Sequence, residues 1–66
     1  MVHARLKFTQ HGQPQTALLT DRGWTIIHGN PGEISLLNHI CPLTDPDQAQ
    51  ICAARAAELL RGTIEP

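Results

Sequence analysis

The chain has 66 residues, of which 41 % are hydrophobic, 17 % charged and 3 % aromatic, with a formal net charge of −1. That composition excludes a disordered charged tail, a collagen-like chain and a disulfide-dense toxin scaffold. It also lacks the basic excess that usually marks a nucleic-acid-binding domain.

A chain this short hides only about 60 % of the surface its unfolded form exposes, so one thin core is expected. Domains of this size usually need a staple, which can be a disulfide, a metal or oligomerisation. One Phe, one Trp and no Tyr leave most of the core to Leu, Ile, Val and Ala. Extra burial at a subunit interface is the expected supplement.

Val2, Ala4, Leu6 and Phe8 alternate with His3, Arg5, Lys7 and Thr9. This period of two predicts a half-buried strand over residues 2–9. Gly12 and Pro14 mark a turn, and a second strand is expected over 15–20. Asp21-Arg22-Gly23 reads as a three-residue hairpin loop with Gly23 in the left-handed position. Trp24 to His28, rich in β-branched and aromatic residues, predicts a third strand over 24–28. With that loop, Thr20 would face Trp24 and Leu18 would face Ile26. Leu18, Trp24 and Ile26 would then share one face, and Ala17, Leu19 and Ile27 the other. A single layer of helices covers one face, so the surplus apolar face predicts a second covering layer.

Asn30 as N-cap, Pro31 as first residue and Glu33 as capping-box partner predict a short helix over 31–41, which Pro42 ends. Asp45, Pro46 and Gln48 repeat that signature for a second helix over 46–61. Asp47 and Arg61 suit its dipole, and Gly62 its C-cap. Ala49, Cys52, Ala53, Ala56, Leu59 and Leu60 share its apolar face; Ile51 lies opposite, near Arg55 and Glu58. The expected fold class is α+β: a three-stranded antiparallel meander followed by two α-helices (β-β-β-α-α), one small domain spanning 1–66.

His3, His11, His28, His39, Cys41 and Cys52 are a generous set of soft ligands. Their spacing matches no C-x-x-C or H-x-x-x-H pattern, so neither a metal nor a cofactor is expected. Both cysteines fall on apolar helix faces and read as buried free thiols. Charges where a secretory leader would be apolar, and no run long enough for a membrane span, complete a cytoplasmic reading. Ser35 has His39 one helical turn later, but no third group orients the pair, and no catalytic residue is expected. Gly29-Asn30-Pro31-Gly32 opens a helix and has N–H groups to offer an anion, yet it matches neither the phosphate-loop nor the dinucleotide fingerprint. His3, Arg5, Lys7 and Arg22 sketch a basic edge. The second helix balances Asp45, Asp47 and Glu58 against Arg55 and Arg61, unlike a recognition helix.

The stretch Ala17-Leu18-Leu19-Thr20-Asp21-Arg22-Gly23-Trp24-Thr25-Ile26-Ile27, followed by Asn30-Pro31 and two helices, is similar in order and polarity to the small winged-helix peptide-recognition domains of peptide-modifying pathways. The similarity spans about residues 17–61. It departs at His28-Gly29-Asn30, where that family tends to show Leu-Asn, and at Cys41-Pro42-Leu43-Thr44, where an Asp-Gly turn would stand. It implies a peptide- or ligand-binding adaptor of winged-helix-like type.

Three functional expectations stand at this point. The first is a non-enzymatic protein–protein interaction module that self-associates as a homodimer, with Trp24, Ile26, Ile51 and Arg55 at the binding interface. The second is the winged-helix-like adaptor. The third is a weak nucleic-acid binder.

Overall fold

The structure is a computed structural model and describes residues 2–42 and 46–65. Its elements run β1 (Val2–Gln10), β2 (Gln13–Thr20), β3 (Gly23–His28), α1 (Glu33–Ile40), a 3-10 turn (Pro46–Gln48), α2 (Ala49–Leu60) and β4 (Thr63–Glu65). The α+β class and the two helices are as expected. The sheet, however, has four strands in the order β3-β2-β1-β4, all antiparallel. The three-stranded meander is therefore corrected. Thr63-Ile64-Glu65 returns beside β1, with Leu6 opposite Ile64 and Arg5 opposite Glu65. Three residues carry too little alternation to announce a strand.

The first hairpin turns on His11 and Gly12, both at positive φ (53° and 76°). Two left-handed residues match the twist of the flanking strands, which is why a Gly sits here. The second hairpin departs from expectation. Thr20 pairs with Gly23 and Leu19 with Trp24, so the loop holds two residues, Asp21 and Arg22, instead of three. A one-residue register change moves every side chain to the opposite face. Trp24 and Ile26 therefore join Ala17 and Leu19 beneath the helices, while Leu18 pairs with Thr25 on the uncovered side.

The core is one cluster of Ala4, Leu6, Phe8, Ala17, Leu19, Trp24, Leu37, Ala49, Ala53 and Ala56, with Ile26, Ile40, Cys52, Leu60 and Ile64 packed around it. α1 lies on β3, and α2 on β1 and β4. Ala49, Ala53 and Ala56 are all buried, and such small residues let the helix axis approach the sheet closely. Two β-bulges break the ladders. His3 is the extra residue between Val2 and Ala4, and Ile27 the extra one between Ile26 and His28. The bulges leave Val2 55 % and Ile27 51 % exposed.

Both helix starts differ from their capping-box readings. α1 begins at Glu33, after a turn in which the Asn30 side chain accepts the Gly32 N–H (2.9 Å). The Glu33 side chain makes no cap hydrogen bond. α2 begins at Ala49, after the 3-10 turn; the expected cap Asp45 lies outside the described residues.

At the end of α2 the left-handed residue is Arg61 (φ 55°), one place before the predicted Gly62, and the Gly62 N–H reaches back to Ala57 O at 2.8 Å. Gly62 answers a different demand. A Cβ there would stand 2.5 Å from Lys7 O and 2.9 Å from Phe8 Cβ, where the chain crosses β1. The two positions should respond oppositely in thermal unfolding. Arg61→Gly relieves a left-handed L-residue and should stabilise by about 1 kcal/mol. Gly62→Ala forces backbone apart and should destabilise by about 1–3 kcal/mol. Equal effects of the two would show the turn to be wrongly placed.

Candidate functional site

Of the four expected interface residues, the structure leaves two at the surface. Trp24 is 5 % exposed, and its indole N–H donates to Cys41 O at 3.3 Å. Ile26 is half-buried against the same core. The hairpin register accounts for both placements: Trp24 is taken into the core, and Ile26 keeps only part of its surface. Ile51 is 65 % exposed and Arg55 is exposed with it. They stand on the outer side of α2 with Glu58, as the sequence suggests, and the structure adds two neighbours: Ala54 and Leu59, the latter 59 % exposed. Leu59 had read as core. At 100° per residue it lies between the buried Ala56 side and the outer stripe of Ile51 and Arg55, and α2 is turned so that it faces out.

The result is a ridge two turns long, with a large apolar residue near each end and one charge of each sign between them. Among the described residues, neither Arg55 nor Glu58 has an ion-pair partner within 4.0 Å.

The sheet face away from the helices is more polar. Lys7 and Arg5 flank Glu65 at 3.0 and 3.9 Å, and Thr9, Thr16, Thr20, Thr25 and Thr63 fill most of the rest. Glu65 partly neutralises the basic row that Arg5 and Lys7 sketch. His3 is drawn aside by its bulge: its Nε2 lies 2.5 Å from Asp21 Oδ1 and holds that carboxyl below its ordinary range. The His3 carbonyl accepts from Gln50 Nε2 at 2.7 Å, tying the start of β1 to α2.

The cysteines are corrected. Cys41, at the end of α1, and Cys52, in α2, form a disulfide, with Cα atoms 5.6 Å apart. Two apolar helix faces that meet across the core place the thiols together, and this bridge replaces the free-thiol reading. Among the described residues no group of three or more His, Cys, Asp or Glu side chains could hold a metal ion. No helix there is long and apolar enough to cross a membrane.

The anion reading at residues 29–32 meets a specific obstacle. The Asn30 N–H is given to Gln15 Oε1 (2.7 Å) and the Gly32 N–H to Asn30 Oδ1. The N–H groups of Glu33, Ile34 and Ser35 are given to the carbonyls of Asn30, Pro31 and Gly32. A helix start whose amides are already engaged has little left to offer an anion.

No protein-family model, curated protein or solved structure matches this chain.

Proposed function

We propose that the protein is a small non-enzymatic interaction module that self-associates, and that a second copy of this chain covers the outer ridge of α2. The supporting observation is the pattern on that ridge. Ile51 and Leu59 are 65 % and 59 % exposed, and they bracket Arg55 and Glu58. A two-fold axis passing between positions 56 and 57 would lay two copies of α2 antiparallel. Arg55 then stands opposite the partner's Glu58, and Leu59 opposite the partner's Ala54. Each copy presents the same patch, as a two-fold interface requires. The small Ala54 leaves room for the partner's Leu59. A core to which the helices contribute mostly alanines also gains from apolar burial elsewhere.

Sedimentation equilibrium tests the reading. The wild-type chain should dimerise at micromolar concentration. Leu59→Glu, which sets a charge against the partner's Ala54, should make it monomeric without altering its fold, since the site is exposed. Arg55→Glu should weaken the dimer roughly tenfold, and adding Glu58→Arg should restore it, because each altered charge again meets its opposite across the axis. A wild-type monomer at these concentrations would overturn the proposal. So would a double variant no better than Arg55→Glu.

A further inference from the structure

Far from the α2 ridge, the tip of the β1–β2 hairpin and the start of α1 enclose a cleft of about 240 Å³, lined by Gln10, His11, Gln13, Gln15, Asn30 and Glu33. Four of the six are amides, and one is a carboxylate. Two of them are buried: Gln15 is 3 % exposed and Glu33 is 8 % exposed. Gln15 is fixed, since its Oε1 accepts the Asn30 N–H at 2.7 Å. Gly29 (φ 123°) makes that approach feasible, because any Cβ there would collide with the Gln15 amide.

Glu33 is the unsettled group. More than nine-tenths of the residue is buried, yet its side chain has no hydrogen-bond or ion-pair partner among the described residues. No fully buried side-chain oxygen among the described residues lacks a partner, so its carboxylate oxygens keep contact with solvent, and the residue lines the cleft. Its place in the first turn of α1 suits the helix dipole. The dipole does not explain why the residue is buried among amides with no partner.

We infer that this cleft is a binding site for a guanidinium cation. The argument is one of charge and donor count. The neighbouring backbone N–H groups at the helix start are engaged, so they offer an anion nothing. What remains open is the Glu33 carboxylate, with the side-chain amides of Gln10 and Gln13 beside it; each amide has a carbonyl to accept and N–H groups to donate, so the full negative charge of Glu33 is what favours a cation. A guanidinium supplies five N–H donors in a plane, takes a carboxylate in a bidentate grip, and has edges left for the amide oxygens. The His11 ring, held at the hairpin tip by a left-handed backbone, adds a flat surface for such a plane.

The test is a titration of the ¹⁵N-labelled full chain, followed by its amide resonances. The probes are methylguanidinium chloride and a capped Gly-Gly-Arg-Gly-Gly peptide, with tetramethylammonium chloride as a cation that has no N–H. Saturable shifts confined to residues 10–15 and 29–33 are expected with both guanidinium probes and not with tetramethylammonium. Tighter binding of the peptide would assign the site to an arginine side chain of a partner; equal binding would assign it to a free guanidinium compound. Glu33→Gln keeps the shape and removes the charge, and should weaken binding at least tenfold. Gln13→Ala, at an exposed position, should weaken it less while the spectrum stays folded. Absence of saturable shifts, the same shifts with tetramethylammonium, or unchanged binding in folded Glu33→Gln would each overturn the inference. None of these outcomes depends on the α2 ridge.

Discussion

Trp24→Ala is expected to cost about 3–5 kcal/mol, the usual loss for truncating a buried tryptophan. A domain of this length has roughly 3–10 kcal/mol of stability in total, at about 0.05–0.15 kcal/mol per residue. The variant should therefore be largely unfolded at room temperature or melt tens of degrees early. The expectation rests on where the register puts the ring. Trp24 sits opposite Leu19 on the helix-covered face, 5 % exposed, and it is the chain's one tryptophan. Trp24→Phe separates packing from hydrogen bonding. It keeps a ring in place but deprives Cys41 O of the indole donor, so a cost of about 1–3 kcal/mol is expected. Far-UV circular dichroism against temperature reads both. An alanine variant within about 1 kcal/mol of the wild type would mean that Trp24 lies outside the core and that the three-residue hairpin loop is correct after all.

The same hairpin shows what the sequence could tell. In β1 the alternation of Val2, Ala4, Leu6 and Phe8 with polar residues admits one reading, and the strand and its inward face follow directly. β2 and β3 carry apolar residues on both parities, so only the loop length could choose their faces. Asp21-Arg22-Gly23 suits a two-residue loop followed by Gly23 (φ 103°) as well as it suits a three-residue loop. That ambiguity of one residue moved Trp24 and Ile26 from the core to the surface in the reading of the chain. β4 was silent for want of length. The cleft between the first hairpin and α1 is invisible for another reason. Gln10, Gln13 and Gln15 belong to a hairpin and Glu33 to a helix start, and no periodicity along the chain relates the two. Glu33 had a sufficient local explanation as a capping residue, which hid its burial. On α2, by contrast, the exposure of Ile51 and Arg55 is legible in the sequence, because a helix with a strong inner face leaves its exceptions on the outer one.

Reducing the Cys41–Cys52 disulfide is expected to lower stability by about 3 kcal/mol, the chain-entropy value for a closed loop of a dozen or so residues. For a domain this small that corresponds to a fall in melting temperature of roughly 10–20 °C. The bond joins the end of α1 to the first turn of α2 and so clasps the two helices across the chain that connects them. The loss should therefore be local before it is global. Amide exchange around residues 49–53 should quicken more than exchange in β1 and β2, whose ladder is independent of the bridge. A Cys41→Ala/Cys52→Ala variant should melt close to the reduced wild type and be indifferent to reductant. Two titratable thiols in the unreduced native protein, or a melting temperature that reductant leaves unchanged, would return both cysteines to the role of small buried hydrophobes. If the bridge stands, the redox state of the surroundings decides how firmly α2 is held against the sheet. It then also decides how rigidly α2 presents Ile51, Arg55, Glu58 and Leu59 to a second copy.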